Sequence, residues 1–251
     1  FALQRRCVDR LLFVRLVFQQ FLRRGQRLLQ RALLLANRGL QRRQLLRAAA
    51  TLGALPLAGA LGDADAAALA FAPAAFDVHD DRALIWLSAN QVSRLHVRWG
   101  TKPDALDQRS AEVELNATMD YTGHVALTGL PRGATVYYRA FAGDSAVSET
   151  GRFNSARKAG QNLTIAFSGD MEEKYKPFRL FDVMAAAAPD YFVHLGDTVY
   201  ADIPKREFSP TLAHYRRKHS RIRADRPLQA FLAQCATSAI WDDHEIENDA
   251  H

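Results

Sequence analysis

At 251 residues, 48% apolar and 24% charged, the chain is long enough for one large or two ordinary folded domains, and this composition excludes a disordered protein. Its net charge of +6 is uneven: residues 1–47 hold twelve arginines against a single acid, Asp9, a net of +11, so the other 204 residues sum to −5. The body is mildly acidic, and the high overall charge therefore carries no argument for nucleic-acid binding.

Residues 1–70 read as a basic leader, and no fold is built on residues 1–37, which are longer than an export signal needs. In "QRRQLLRAAATLGALPLAGALGDADAAALAFA" the pair Arg42-Arg43 precedes x-Leu-Leu-Arg and a short apolar stretch, residues 48–62. Small residues follow at Ala64-Asp65-Ala66 and Ala68-Leu69-Ala70, either of which serves as a cleavage site. The arginine core resembles a twin-arginine signal, which exports already folded proteins. The expected partner is the twin-arginine export machinery, and the expected location is the periplasm or the cell exterior. A basic amphipathic helix against a membrane or RNA is the other reading of these residues. No window reaches the roughly 18 to 20 unbroken apolar residues of a membrane span. Cys7 and Cys235 fall on opposite sides of the cleavage region, so removal of the leader leaves no internal disulfide. The chain opens on Phe1, has its first methionine at Met119 and stops at His251 directly after a dense motif; it reads as a fragment.

Residues 72–155 alternate with period two. "RALIWLSA", "RLHVRWG", "AEVELNA", "GHVALTGL", "TVYYRAFAG" and "SETGRFNS" read as short strands separated by "TKPD", "LPRG" and "AGDS". Six or seven strands without a helix predict an antiparallel β-sandwich, with Trp86 and Trp99 in its core. "LTGLPRGATVYYRA", with Tyr137-Tyr138, resembles the tyrosine corner of fibronectin type III domains, and "VRWGTKPDALDQ" resembles the N-terminal sandwich of purple acid phosphatases. His79, His96 and His124 carry no metal spacing and are structural or exposed.

After a polar joint, "ARKAGQN", the rhythm changes. Strand-like "LTIAFSGD", helical "PFRLFDVMAAAA", strand-like "DYFVHLGD", a long basic helical region and strand-like "SAIWDDHE" follow over residues 162–251. Apolar strands alternating with helices predict an α/β domain: mixed sheets flanked by helices, with its site beyond the carboxyl ends of the strands. Each of the three strands ends in carboxylates: Asp170, Asp197, and the pair Asp242-Asp243. One such ending is an ordinary turn, but three on one edge repel unless a cation sits among them. Carboxylates with Tyr200 and His244 suit iron, zinc, manganese or calcium, and a phenolate favours ferric iron.

"GDM", "GDTVY" and "DDHE", in that order, resemble the first three motifs of the calcineurin-like metallophosphoesterases. "PDYFVHLGDTVYAD", "YRRKHSRIRADRPLQAFLA" and "IWDDHEIEND" are similar to the alkaline phosphatase D (PhoD) family within them, a resemblance covering residues 72–251. It implies an exported metal-dependent phosphoesterase, in which a metal-activated hydroxide attacks phosphorus in line, acting on phosphomonoesters or phosphodiesters. It implies two or more metal ions, ferric iron with calcium, zinc or manganese being the alternatives. By position, Asp197 would bridge the metals, Tyr200 would bind ferric iron and Asp243 the second metal, and His244 would face the substrate. Asp170 stands where the family usually has cysteine and keeps a ligand role. Further ligands, a histidine and a Gly-His-x-His, would follow His251. A surface binding protein with a degenerate phosphatase-like body is the competing function.

Other candidates have plainer readings. His194 belongs to the core, Cys235 is a small apolar residue before the third strand, and Glu172 and Glu173 resemble an exposed turn. Residues 215–223, "YRRKHSRIR", read as a solvated charged helix face, with contact to a substrate phosphate as their other reading.

Overall fold

A computed structural model describes residues 69–249, which fall within one unit, Asp63–His251. The leader signal, up to residue 68, and His251 lie outside the described residues.

Nine strands form the first half: β1 (Ala74–His79), β2 (Arg82–Ser88), β3 (Ser93–Gly100), β4 (Gln108–Arg109), β5 (Val113–Leu115), β6 (Thr122–Thr128), β7 (Thr135–Ala142), β8 (Ser145–Ala146) and β9 (Gly151–Asn154). The second half adds β10 (Ile165–Ser168), α1 (Leu180–Ala186), β11 (Tyr191–His194), α2 (Leu212–Arg223), α3 (Arg226–Leu232) and β12 (Ala236–Ala239). All six strands expected in the sandwich are present, and β1, β4 and β8 are additional.

Alternation along β2, β6 and β7 buries one face of each strand. Those faces meet in a core of Ile85, Leu87, Leu95, Val97, Leu115, Val125, Leu127, Val136, Tyr138 and Phe153. One sheet of the sandwich is β4-β3-β7-β8, with β5 paired to β3 and β9 to β7. The other does not end at the sandwich. Its order is β10-β11-β12-β1-β2-β6: the parallel strands β10, β11 and β12 continue through a parallel pairing of Phe76 with Thr237 into antiparallel β1, β2 and β6. A single sheet thus runs from the sandwich into the α/β half.

That continuity explains where the sandwich tyrosine points. In a tyrosine corner the hydroxyl bonds to backbone a few residues upstream. Tyr138 instead donates to the Pro73 carbonyl at 3.0 Å and the Ala233 carbonyl, past the end of α3, at 3.2 Å. Arg152 N–H donates to the same Ala233 carbonyl at 2.9 Å. The Gly151 backbone lies so close that a Cβ there would sit 2.5 Å from the Tyr138 ring and 2.8 Å from that carbonyl. The polar joint is tied as well: the buried Asp190 carboxylate accepts from Asn154 Nδ2 and Thr164 N, both at 2.8 Å, and from Arg157.

The long basic helical region divides in two. Thr211 caps α2, its hydroxyl accepting from His214 N at 3.3 Å. Asp225 caps α3 by accepting from Leu228 N at 3.1 Å, and Pro227 stands in the first turn of α3, where a missing N–H costs least. The third strand also differs from expectation: it begins at Ala236 and ends at Ala239, leaving Trp241 exposed beyond it. Phe178, Phe181, Phe192, Ile222, Leu228, Phe231 and Cys235 pack a second core under α1, α2 and α3. Cover on both faces of the sheet stops short of the edge strand β10, where Ile165 and Phe167, on one face, are 49% and 67% exposed.

Replacing Tyr138 with Phe removes the hydroxyl and leaves the Pro73 carbonyl without that donor. Chemical denaturation should show a loss of about 1–2 kcal/mol. Stability within a few tenths of wild type would mean that the seam does not depend on this bond.

Candidate metal centre

The three parallel strands finish level with one another, Ser168 opposite His194 and His194 opposite Ala239. The chain leaves each through backbone bonds to its neighbours: Leu195 N to Ser168 O at 2.7 Å, Ile240 N to His194 O at 3.0 Å, and Met171 N to Asp197 O at 2.9 Å. The three acidic loops are thereby stacked along one edge.

Their backbones are unusual. Asp170 and Asp197 have φ of 59° and 55°, the left-handed region that aspartate tolerates better than most residues and that gathers at functional sites. Between them Gly196 has φ of 113°, and a Cβ there would lie 2.5 Å from Asp242 Cβ. Only glycine permits the second and third loops to approach this closely.

Ligand atoms of Asp197, Asp243 and His244 lie within 4.8 Å of one another. Asp197 is buried, and its Oδ1 accepts from His244 N at 3.2 Å. Asp170 is outside that trio but is joined to it through Tyr200, whose hydroxyl donates to Asp170 Oδ1 at 2.7 Å. The Tyr200 ring also packs on the His244 ring, centroids 4.3 Å apart. All five residues singled out in the sequence therefore meet in one place, as a tight trio with a Tyr200–Asp170 arm.

Their electrostatics fit a cation. Burial, then the Asp170 bond and the Asp197 charge, push the Tyr200 phenol far above its ordinary range. Burial also raises Asp197, against the opposing effects of the Tyr200 hydroxyl and His244. Asp243 is lowered, chiefly by the Asp249 N–H that donates to its Oδ2 at 2.6 Å. Three carboxylates are thus held close by one phenol proton and a few N–H groups. A hard or borderline metal ion relieves the same repulsion with the same oxygen and imidazole donors.

Two residues not singled out in the sequence hold the site together. Glu245, 7% exposed, accepts from Asp197 N at 3.0 Å, Asp242 N at 2.9 Å, Thr198 Oγ1 at 2.7 Å and Thr198 N. Asp202 Oδ1 is 2.8 Å from His244 Nδ1, and its Oδ2 accepts from Asn248 N at 3.2 Å. Burial disfavours charge on His244, but the Asp202 bond and the charges of Asp202, Asp197 and Asp243 outweigh it and raise its pKa. Both residues close quoted motifs, Asp202 in "GDTVYAD" and Glu245 in "DDHE", and that position was their available signal.

Helix α2 grips the loop that carries Tyr200 and Asp202. His214 Nε2 lies 2.7 Å from the Ala201 carbonyl, while its Nδ1 accepts from Arg217 at 3.0 Å, which assigns the proton to Nε2. The buried Lys218 donates to the Ile203 carbonyl. Glu173 faces Lys218 and Arg221, each at 3.7 Å, so it belongs to an ion cluster under this loop instead of an exposed turn. His194 is buried edge-on to Phe192, its ring nitrogens without a hydrogen-bond partner among the described residues, and burial lowers its pKa.

Comparison with known proteins fits this geometry. The family model described as PhoD-like phosphatase, N-terminal domain, matches residues 64–157, and that described as PhoD-like phosphatase matches residues 162–251. A relative, alkaline phosphatase D of Bacillus subtilis (strain 168), is 29% identical over 147 residues, covering 52% of this chain and 25% of the relative. A solved structure described as PhoD aligns with a TM-score of 0.66 at 22% identity, over 75% of this chain and 41% of that one, and so shares its fold. A purple acid phosphatase from yellow lupin (Lupinus luteus) seeds aligns at a TM-score of 0.45 and 14% identity, over 68% of this chain and 35% of that one. The chain thus spans about a quarter of the curated relative and less than half of the solved one. With consecutive family models on its sandwich and on its α/β half, the chain belongs to the PhoD-like phosphatase family.

Proposed function

We propose that this chain carries the opening part of an exported, metal-dependent phosphoesterase that hydrolyses phosphomonoesters or phosphodiesters. The observation that carries the reading is the convergence of Asp197, Asp243 and His244 within 4.8 Å, with Tyr200 and Asp170 attached. Asp197, Asp243, Asp170 and Tyr200 would hold the ions, ferric iron with calcium as first choice and zinc or manganese as alternatives. Such ions, when bound, acidify water and offset phosphoryl charge.

The remaining work falls to the chain's own groups. Asp202 occupies His244 Nδ1, which leaves Nε2 as the free nitrogen of that ring. With its pKa raised, His244 keeps a proton there nearer to neutral pH, available to a phosphoryl oxygen or to the leaving oxygen. Glu245 fixes the backbones of Asp197 and Asp242, and therefore the spacing of the loops that supply ligands. Export rests on the arginine-rich leader and its small-x-small sites.

Three outcomes check the proposal. Asp197→Asn should weaken metal binding in calorimetric titration and leave less than about a tenth of metal-dependent hydrolysis; retention of both would remove Asp197 from the site, and absence of metal binding by the wild-type protein would favour a degenerate body. Glu245→Gln sets an amide among the backbone N–H groups and should lower metal affinity about tenfold without removing any ligand; an unchanged affinity would show that the loops hold their spacing unaided. Replacing both Arg42 and Arg43 with Lys should keep the protein inside the cell on fractionation, and continued export would sink the twin-arginine reading.

A further inference from the structure

Tyr215, His219 and Arg223 succeed one another at four-residue spacing along one face of α2. Tyr215 lies at the metal-centre end, where burial and then the charges of Asp202 and Glu247 raise its pKa. Two turns on, about 12 Å along the axis, the Arg223 guanidinium lies 4.5 Å over the Trp86 ring and 5.3 Å from the Phe76 ring. Trp86 on β2 is paired directly with His124 on β6, so the two side chains leave the same face of the sheet. His219 stands one turn before Arg223 on the helix.

Three basic side chains therefore gather beside aromatic surface, and the one acid whose charge reaches them is Glu245, which acts on His219. Among the described residues Arg223 has no hydrogen-bond acceptor and no carboxylate at ion-pair distance; its contacts are the two rings. Burial lowers its pKa to about 10, which leaves it a cation at neutral pH. Partial desolvation by the packed rings and then the Arg223 charge lower both His124 and His219, with the Glu245 charge opposing this at His219. Both histidines are exposed, so the cluster opens to solvent. A guanidinium stacked by its faces keeps its in-plane N–H groups free, and these match two oxygens of a tetrahedral anion.

We propose that Arg223, His219 and His124, set over Trp86, form a binding site for a phosphate group, separate from the metal centre. The group comes either from free inorganic phosphate or from a second phosphate on a substrate held at the metal centre; the latter source rests on the function proposed above.

The test uses the whole chain stripped of metal by a chelator, so that the metal centre contributes nothing and failure of the catalytic reading leaves the result intact. Inorganic phosphate is titrated at physiological ionic strength, which screens loose attraction to the arginine-rich leader. Binding is followed by calorimetry and by tryptophan fluorescence, with Trp86→Phe identifying the reporting ring. Saturable binding is expected, weakened about tenfold or more by Arg223→Met, which keeps an apolar stem over the ring. Equal affinity in wild type and Arg223→Met, or no saturation in wild type, overturns the site. If circular dichroism shows that Arg223→Met does not fold, the exposed substitution His124→Gln decides instead: about threefold weaker binding supports the site and unchanged binding overturns it. With metal restored, an alkyl bisphosphate that outbinds an alkyl monophosphate in wild type but not in Arg223→Met assigns the site to a substrate's second phosphate. Equal affinity for the two, with the metal-free phosphate site present, assigns it to free phosphate.

Discussion

Four donors converge on one buried carboxylate, and the candidate site depends on that convergence. Glu245 takes the backbone N–H groups of Asp197, Thr198 and Asp242 together with the Thr198 hydroxyl. Two loops from different strands are thereby held at one spacing, although both carry acids that repel. A buried carboxylate without such donors is strongly disfavoured, so the loops and the glutamate require each other. Gly196 completes the constraint from the other side, because any Cβ there would push against Asp242.

The sheet transmits this order to the rest of the molecule. The pairing of β1 with β12 joins the sandwich to the strand whose end bears the "DDHE" loop. Tyr138, Gly151 and Arg152 press the sandwich against the end of α3, and Asp190 ties down the joint between the halves. Helix α2 then serves both sides. Its His214 and Lys218 hold the Tyr200–Asp202 loop, while its last residue, Arg223, stacks on the sandwich ring of Trp86. The sandwich is in this sense part of the scaffold of the site.

Much of this was legible beforehand because the signals are local. Period-two alternation marks β2, β6 and β7, since each strand buries one face whatever its partner. Apolar runs ending in Gly-Asp mark β10 and β11 and place Asp170 and Asp197 at their ends. Less legible was β1: "AAFDVH" alternates weakly and owes its place to pairing with both Leu84 and Thr237. Glu245 and Asp202 were also passed over, because a carboxylate that binds backbone N–H groups or a histidine looks in sequence like any acid in a polar motif. Glu173 shows the same limit: an exposed turn and half of an ion cluster are spelled alike.

Three acidic strand ends with a tyrosine and a histidine can be read from the amino-acid order, because residue type and strand periodicity are properties of short segments. That these acids meet in a trio with an arm, that Glu245 and Asp202 hold them, and that the sandwich sheet runs on into the α/β half are properties of the folded chain alone. Those outcomes depend on hydrogen bonds and packing between residues from thirty to more than a hundred positions apart, such as Tyr200 with Asp170, Asp197 with Glu245 and Phe76 with Thr237, and no local pattern encodes a distance across the fold.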